Sequence, residues 1–129
     1  MVKKQLPKPT ESELAILRVL WRRGASTVRE VKGALDRHKP AGYTTVLKLM
    51  QIMHGKDLLH RDESQRSHVY RPAVPAEKTR GQLVTDLIDR AFEGSARKLV
   101  MQALSSQQAS PDELKTIRSM LDEIEGRSS

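Results

Sequence analysis

The sequence predicts a mainly α-helical protein with one small β-hairpin, divided into a front module over residues 1–75 and a helical back module over residues 76–129. Three observations predict this. First, Thr10-Glu11-Ser12-Glu13, Thr27-Val28-Arg29-Glu30 and Ser110-Pro111-Asp112-Glu113 are capping boxes, each followed by apolar residues at helical spacing. Second, strand-type residues on either side of Ser64-Gln65-Arg66 read as a hairpin. Third, charge is divided along the chain. Residues 1–72 hold 15 Lys/Arg against 7 Asp/Glu, whereas residues 73–129 hold 8 against 9. The change falls at Pro72-Ala73-Val74-Pro75, where two prolines interrupt helix.

In the first helix, about residues 11–23, Leu14, Leu17, Leu20 and Trp21 form the apolar stripe and Gly24 is the stop. On that stripe Trp21 is a core residue. The second helix, about 28–37, buries Val28, Val31, Ala34 and Leu35, and Lys39-Pro40-Ala41-Gly42 makes a turn. The third helix runs from Tyr43 to about His54. Val46, Leu49, Met50 and Met53 fall on one face; Thr44, Thr45, Lys48, Gln51 and Ile52 lie on or near the other. The hairpin follows, carrying Arg61, Arg66, His68 and Arg71. In the back module, residues 76–92 form a long helix with Leu83, Leu87, Ile88 and Ala91 in register, broken at Gly94-Ser95. A helix of about 95–104 carries Leu99, Val100, Ala103 and Leu104. A last helix carries Leu114, Ile117, Leu121 and Ile124 and stops at Gly126.

Three short helices and a basic hairpin are the order of a winged helix-turn-helix, in which the third helix enters the DNA major groove. The net charge of +7 favours a polyanionic partner. The expected DNA-facing residues are Thr27, Arg29, Tyr43, Thr44, Thr45, Lys48, Gln51, Arg61, Arg66, His68 and Arg71. Lys3, Lys4 and Lys8 are either a minor-groove arm or a solvated tail. Only 37% of residues are hydrophobic and 3% aromatic, a thin core for a chain of 129. Three amphipathic helices on so small a front module are best covered by a second copy about a twofold axis. The alternative is a monomeric helical cap. Dimer contacts are therefore expected from Leu83, Leu87, Ile88, Leu99, Val100, Leu104, Leu114, Ile117, Leu121 and Ile124.

Several classes are excluded. With no cysteine there is no disulfide, thiol nucleophile or thiolate metal site. The histidines His38, His54, His60 and His68 show no ligand spacing, and neither a metal nor a cofactor is expected. No phosphate loop, Gly-x-Ser-x-Gly or His-Glu-x-x-His is present, so no enzyme is expected. There is no apolar run near the roughly 18 residues of a membrane span, nor a secretory signal, and the expected place of work is the cytoplasm. The other reading is a protein-binding adaptor that kept the winged-helix shape, or a non-specific DNA-binding protein.

The segments Leu6-Pro7, Thr10-Glu11-Ser12-Glu13, Ile16-Leu17-Arg18-Val19-Leu20-Trp21, Thr27-Val28-Arg29-Glu30-Val31, Tyr43-Thr44-Thr45-Val46-Leu47 and Val69-Tyr70-Arg71-Pro72 resemble the penicillinase repressor family over roughly residues 6–125. The resemblance implies a homodimeric bacterial repressor, its winged helix on a palindromic operator and its C-terminal helices forming the dimer. In the β-lactam branch of that family a membrane sensor leads to cleavage of the repressor, which releases DNA; this implies a sensor–protease partner. Gln102-Ala103 stands where those repressors have a scissile Asn-Phe bond. Two other positions depart from the family pattern. Asp57 replaces a usual glycine before the wing, and because Asp tolerates the left-handed conformation better than most residues the turn is expected to survive; the cysteine cluster of the copper-sensing relatives is absent, which excludes copper-thiolate sensing.

Overall fold

The computed structural model describes residues 8–37, 41–106 and 108–128. Lys3, Lys4, His38 and the first half of the turn at Lys39-Pro40 lie outside the described residues. The elements are α1 (Glu11–Arg23), β1 (Ser26–Thr27), α2 (Val28–Leu35), α3 (Tyr43–Gly55), β2 (Leu59–Asp62), β3 (Val69–Pro72), α4 (Ala76–Ala91), α5 (Ala96–Ser106) and α6 (Pro111–Ser128). Contacts divide the chain into a first unit ending at Val84 and a second beginning at Thr85, so α4 starts in one and ends in the other.

All three capping boxes form. In α1 the Glu13 N–H donates to Thr10 Oγ1 at 3.2 Å, and the Thr10 N–H donates to Glu13 Oε1 at 2.9 Å. Thr27–Glu30 and Ser110–Glu113 repeat the exchange at α2 and α6. Each pair satisfies two amide donors that a helix start otherwise leaves to water. Gly24, at φ 91°, ends α1 in a conformation that a side chain would strain. Helix α2 stops at Leu35, with Asp36 as its cap, two residues before the expected end; Asp36 accepts an ion pair from Lys32 at 2.7 Å.

The expected hairpin is part of a three-stranded antiparallel sheet in the order β1-β3-β2. Ser26 and Thr27 pair with Tyr70 and Val69, while Leu59–Asp62 pair with Pro72–Val69. The two-residue β1 is too short to show alternation, so pattern reading cannot find it. Asp57 takes φ 64°, the left-handed value that glycine supplies elsewhere and that Asp tolerates better than most residues.

The core of the first unit is Ile16, Leu17, Leu20, Val28, Val31, Val46, Met50, Met53, Leu58, Leu59 and Tyr70. On α1, Ile16 is buried where Leu14 was expected, and Leu14 is half-buried. Trp21 is also half-buried, at the edge of this core. Its indole N–H donates to the Val74 carbonyl at 3.4 Å, and the Arg80 guanidinium lies 5.8 Å from the ring centre. These contacts hold the segment after β3, and the first turns of α4, against α1.

The second unit is packed differently. Helix α5 buries none of its side chains. The turn before it uses Glu93 at φ 53° and Gly94 at φ 78°, and Ser95 Oγ accepts from the Lys98 N–H. Helix α5 extends to Ser106, two residues past the expected end, and α6 passes through Gly126 to Ser128. A lone glycine lowers helix propensity by about 1 kcal/mol but does not by itself stop a helix.

Candidate nucleic-acid interface

Helix α3 is two-faced. Val46, Met50 and Met53 are fully buried, which fixes the helix in the core. The opposite side presents Thr44, Thr45, Lys48, Gln51 and Gly55, all exposed. Positions 44, 48, 51 and 55 are three or four residues apart and share one face. Ile52, 42% exposed, borders that face beside the expected DNA-facing residues. The N-cap is Gly42, with no side-chain cap bond, so the first amides of α3 point out uncapped; this is the arrangement that suits a phosphate.

Residues from α2 flank this end. The Arg29 guanidinium sits 5.9 Å from the ring centre of Tyr43, which is itself exposed. Thr27 is half-buried and its hydroxyl is engaged as the α2 cap. Glu30, which completes that cap, also binds Arg23 at 2.8 Å. The Thr27 bonds hold its carboxyl below the ordinary range against the opposing effect of burial, with a lesser contribution from Arg23.

On the wing, Arg66, His68 and Arg71 are exposed. The loop at its tip is shaped by the Ser64 N–H donating to Asp62 Oδ1 at 2.9 Å. Arg61 is placed otherwise. It lies opposite Tyr70 across the β2–β3 pair, its side chain only 24% exposed, with Glu63 Oε1 at 2.5 Å. The hydrogen bond to the Tyr70 hydroxyl and the Glu63 carboxylate raise its affinity for its proton against the cost of burial. The sequence places Arg61 with the wing cations; the strand register turns it inward as a brace.

A second brace sets α3 against α1. The Glu13 side chain is 2% exposed, and its Oε2 receives Lys56 Nζ, from the C-cap of α3, at 2.9 Å. Burial raises the carboxyl's pKa, but the Thr10 amide and the Lys56 ammonium outweigh it and hold Glu13 below the ordinary value. The capping box showed half of this role. The partner 43 residues away was not legible.

Of the expected dimer residues, Leu87, Val100, Leu104, Leu121 and Ile124 are exposed, while Leu83, Ile88, Leu99, Leu114 and Ile117 are half-buried. Val84, Met101 and Met120 join the exposed set from beside the expected stripes. Gln102 and Ala103 lie inside α5, exposed, with Gln102 Nε2 donating to Ser106 Oγ at 2.8 Å. Among the described residues no three His, Asp or Glu gather as a metal site would need, and no helix is long and apolar enough to cross a membrane.

Residues 9–123 match the family model of the penicillinase repressor. The chain belongs to that family. It is a family of DNA-binding transcriptional repressors, not of enzymes. The chain is 27% identical over 122 residues to the transcriptional regulator BlaI of Mycobacterium tuberculosis, covering 94% of this chain and 88% of that one. It is 21% identical over 124 residues to the penicillinase repressor of Bacillus licheniformis, covering 96% and 97%. In fold it resembles the solution structure of the monomeric form of B. licheniformis BlaI in complex with the blaP half-operator, with a TM-score of 0.50 and 21% identity over 58% of this chain and 92% of that one. The winged-helix reading of the first unit agrees with that likeness.

Proposed function

We propose that this repressor acts as a homodimer on a palindromic operator and silences transcription by occupying the promoter. The carrying observation is the two-faced α3: a fully buried side fixes it, and Thr44, Thr45, Lys48 and Gln51 project from the other. Short threonines let the helix start approach the groove; Lys48 and Gln51 supply donors for base edges or phosphates. Tyr43 opens the helix with Arg29 beside it, and Thr27 caps the helix that carries Arg29. Arg66, His68 and Arg71 meet the backbone beside the groove, where counterion release favours cations.

The exposed apolar residues of α5 and α6 support assembly of two chains, since a monomer rarely leaves so much large apolar surface in water. In this reading residues 1–75 are the reader and residues 76–129 the dimeriser, which sets two α3 helices about 34 Å apart. That the B. licheniformis relative was solved as a monomer on half an operator fits a site of two halves. No cofactor enters, and the work is done in the cytoplasm. Release follows cutting by a sensor-linked protease near residues 93–109, a stretch that includes the Gln102-Ala103 bond, which separates reader from dimeriser and removes the avidity of two half-sites. Because that bond is helical, α5 must open locally before a protease can seat it.

Selection from random duplex DNA at about 150 mM salt, with sequencing of the bound pool, tests the reading. The expected result is an enriched inverted repeat. Binding that shows no enrichment and vanishes as salt rises would mean non-specific electrostatic binding by the basic first unit, and no sequence preference with a low salt slope would favour an adaptor. Incubation with the cognate sensor protease that frees DNA while leaving the chain whole would reject release by cutting.

A further inference from the structure

Among the described residues before α4, the large apolar side chains left exposed are Tyr43 and Ile52, and both stand on α3. Tyr43 has an explanation on the protein, since it carries Arg29 over its ring. Ile52 has none. It is 42% exposed on a helix where Val46, Met50 and Met53 are fully buried and Leu47 and Leu49 half-buried. It follows Lys48 by one turn and Thr45 by two, so it lies on the side of α3 that those residues present. A branched alkyl group can neither neutralise a phosphate nor exchange hydrogen bonds with a base edge. The major groove offers one apolar feature to such a group, the C5-methyl of thymine.

We propose that Ile52 is a specificity-determining residue that reads a thymine C5-methyl in each half-operator. The inference rests on the proposed docking of α3 in the major groove and adds a base identity to it. Seven residues separate Thr45 from Ile52, a rise of about 10 Å along the helix. The methyl is covered on binding, and the effect is a discrimination against bases lacking it.

The test uses the full chain and the inverted repeat recovered by selection. Each thymine is replaced in turn by deoxyuridine, which removes only the methyl, and binding is measured for the wild type and Ile52→Ala. The variant sits on an exposed helical position and exchanges Ile for the better helix former, so folding is preserved. One thymine per half-site is expected to matter, its replacement weakening the wild type about four-fold, the equivalent of one buried methyl. Ile52→Ala is expected to bind the thymine and deoxyuridine duplexes equally. Specific binding that no replacement disturbs, or a sensitivity that persists unchanged in Ile52→Ala, overturns the assignment while leaving the operator reading intact. Absence of any sequence-specific binding removes that reading and the assignment together.

Discussion

Truncating Leu121 to alanine tests whether the second unit is half of an interface. Leu121 is 54% exposed in the single chain, so about half of its side chain is available to a partner. Full burial of a leucine contributes about 1.5–3 kcal/mol, which leaves about 1 kcal/mol for the exposed half. A twofold interface uses every residue twice, so the loss on dimerisation is about 2 kcal/mol, or about 30-fold in the dimer dissociation constant. The isolated chain should not suffer, because alanine is the better helix former and little intrachain packing is removed. Sedimentation equilibrium over a range of concentrations reads the constant, and far-ultraviolet circular dichroism checks that α6 persists. Operator binding should become more concentration-dependent in parallel. A dissociation constant unchanged for Leu121→Ala, and again for Val100→Ala on α5, would refute the interface.

Three further outcomes are expected. Lys48→Ala should weaken operator binding by about 1–3 kcal/mol if the ammonium reads a base, or weaken all sequences alike and lower the salt slope by about 1 if it meets a phosphate; titrations at several salt concentrations on operator and random DNA separate these, and no change on either removes Lys48 from the site. Arg66→Ala should lower the salt slope of DNA binding by about 1, whereas Arg61→Ala should leave that slope alone and lower the urea midpoint of unfolding, since its partners are Glu63 and Tyr70. Glu13 has a folded pKa below its ordinary 4.5, so its contribution is present above that value and fades as pH falls through the lower folded value. Unfolding measured from pH 7 to pH 3 should therefore show a shallower acid limb in Glu13→Gln than in the wild type, and identical limbs would show that neither the Thr10 amide nor the Lys56 contact favours the charged carboxylate.

The helix starts were legible because their physics is local. Thr10 with Glu13, Thr27 with Glu30, and Ser110 with Glu113 each close a reciprocal pair within four residues, and each stands at the expected start. The buried side of α3 was legible for the same reason, since Val46, Met50 and Met53 repeat at the period of one helix. So was the turn at Asp57, from that residue's tolerance of the left-handed region. The outward residues of α3 followed as the complement of the buried side. Ends were less legible than starts: Gly126 does not stop α6, because one glycine costs less than the turns around it return.

What only the tertiary structure decided depends on residues far apart in the chain. Strand β1 exists because Ser26 and Thr27 find Tyr70 and Val69, and two residues carry no pattern of their own. Arg61 turns from a wing cation into a brace through a register that sets it across from Tyr70. Glu13 becomes the lock between α1 and α3 only when Lys56 arrives from the end of another helix. Ile52, one apolar residue among several on α3, becomes distinctive once the core has been filled without it. Local hydrogen bonding and periodicity are written in neighbouring residues; pairing, burial and the surplus left outside the core arise only when distant segments meet.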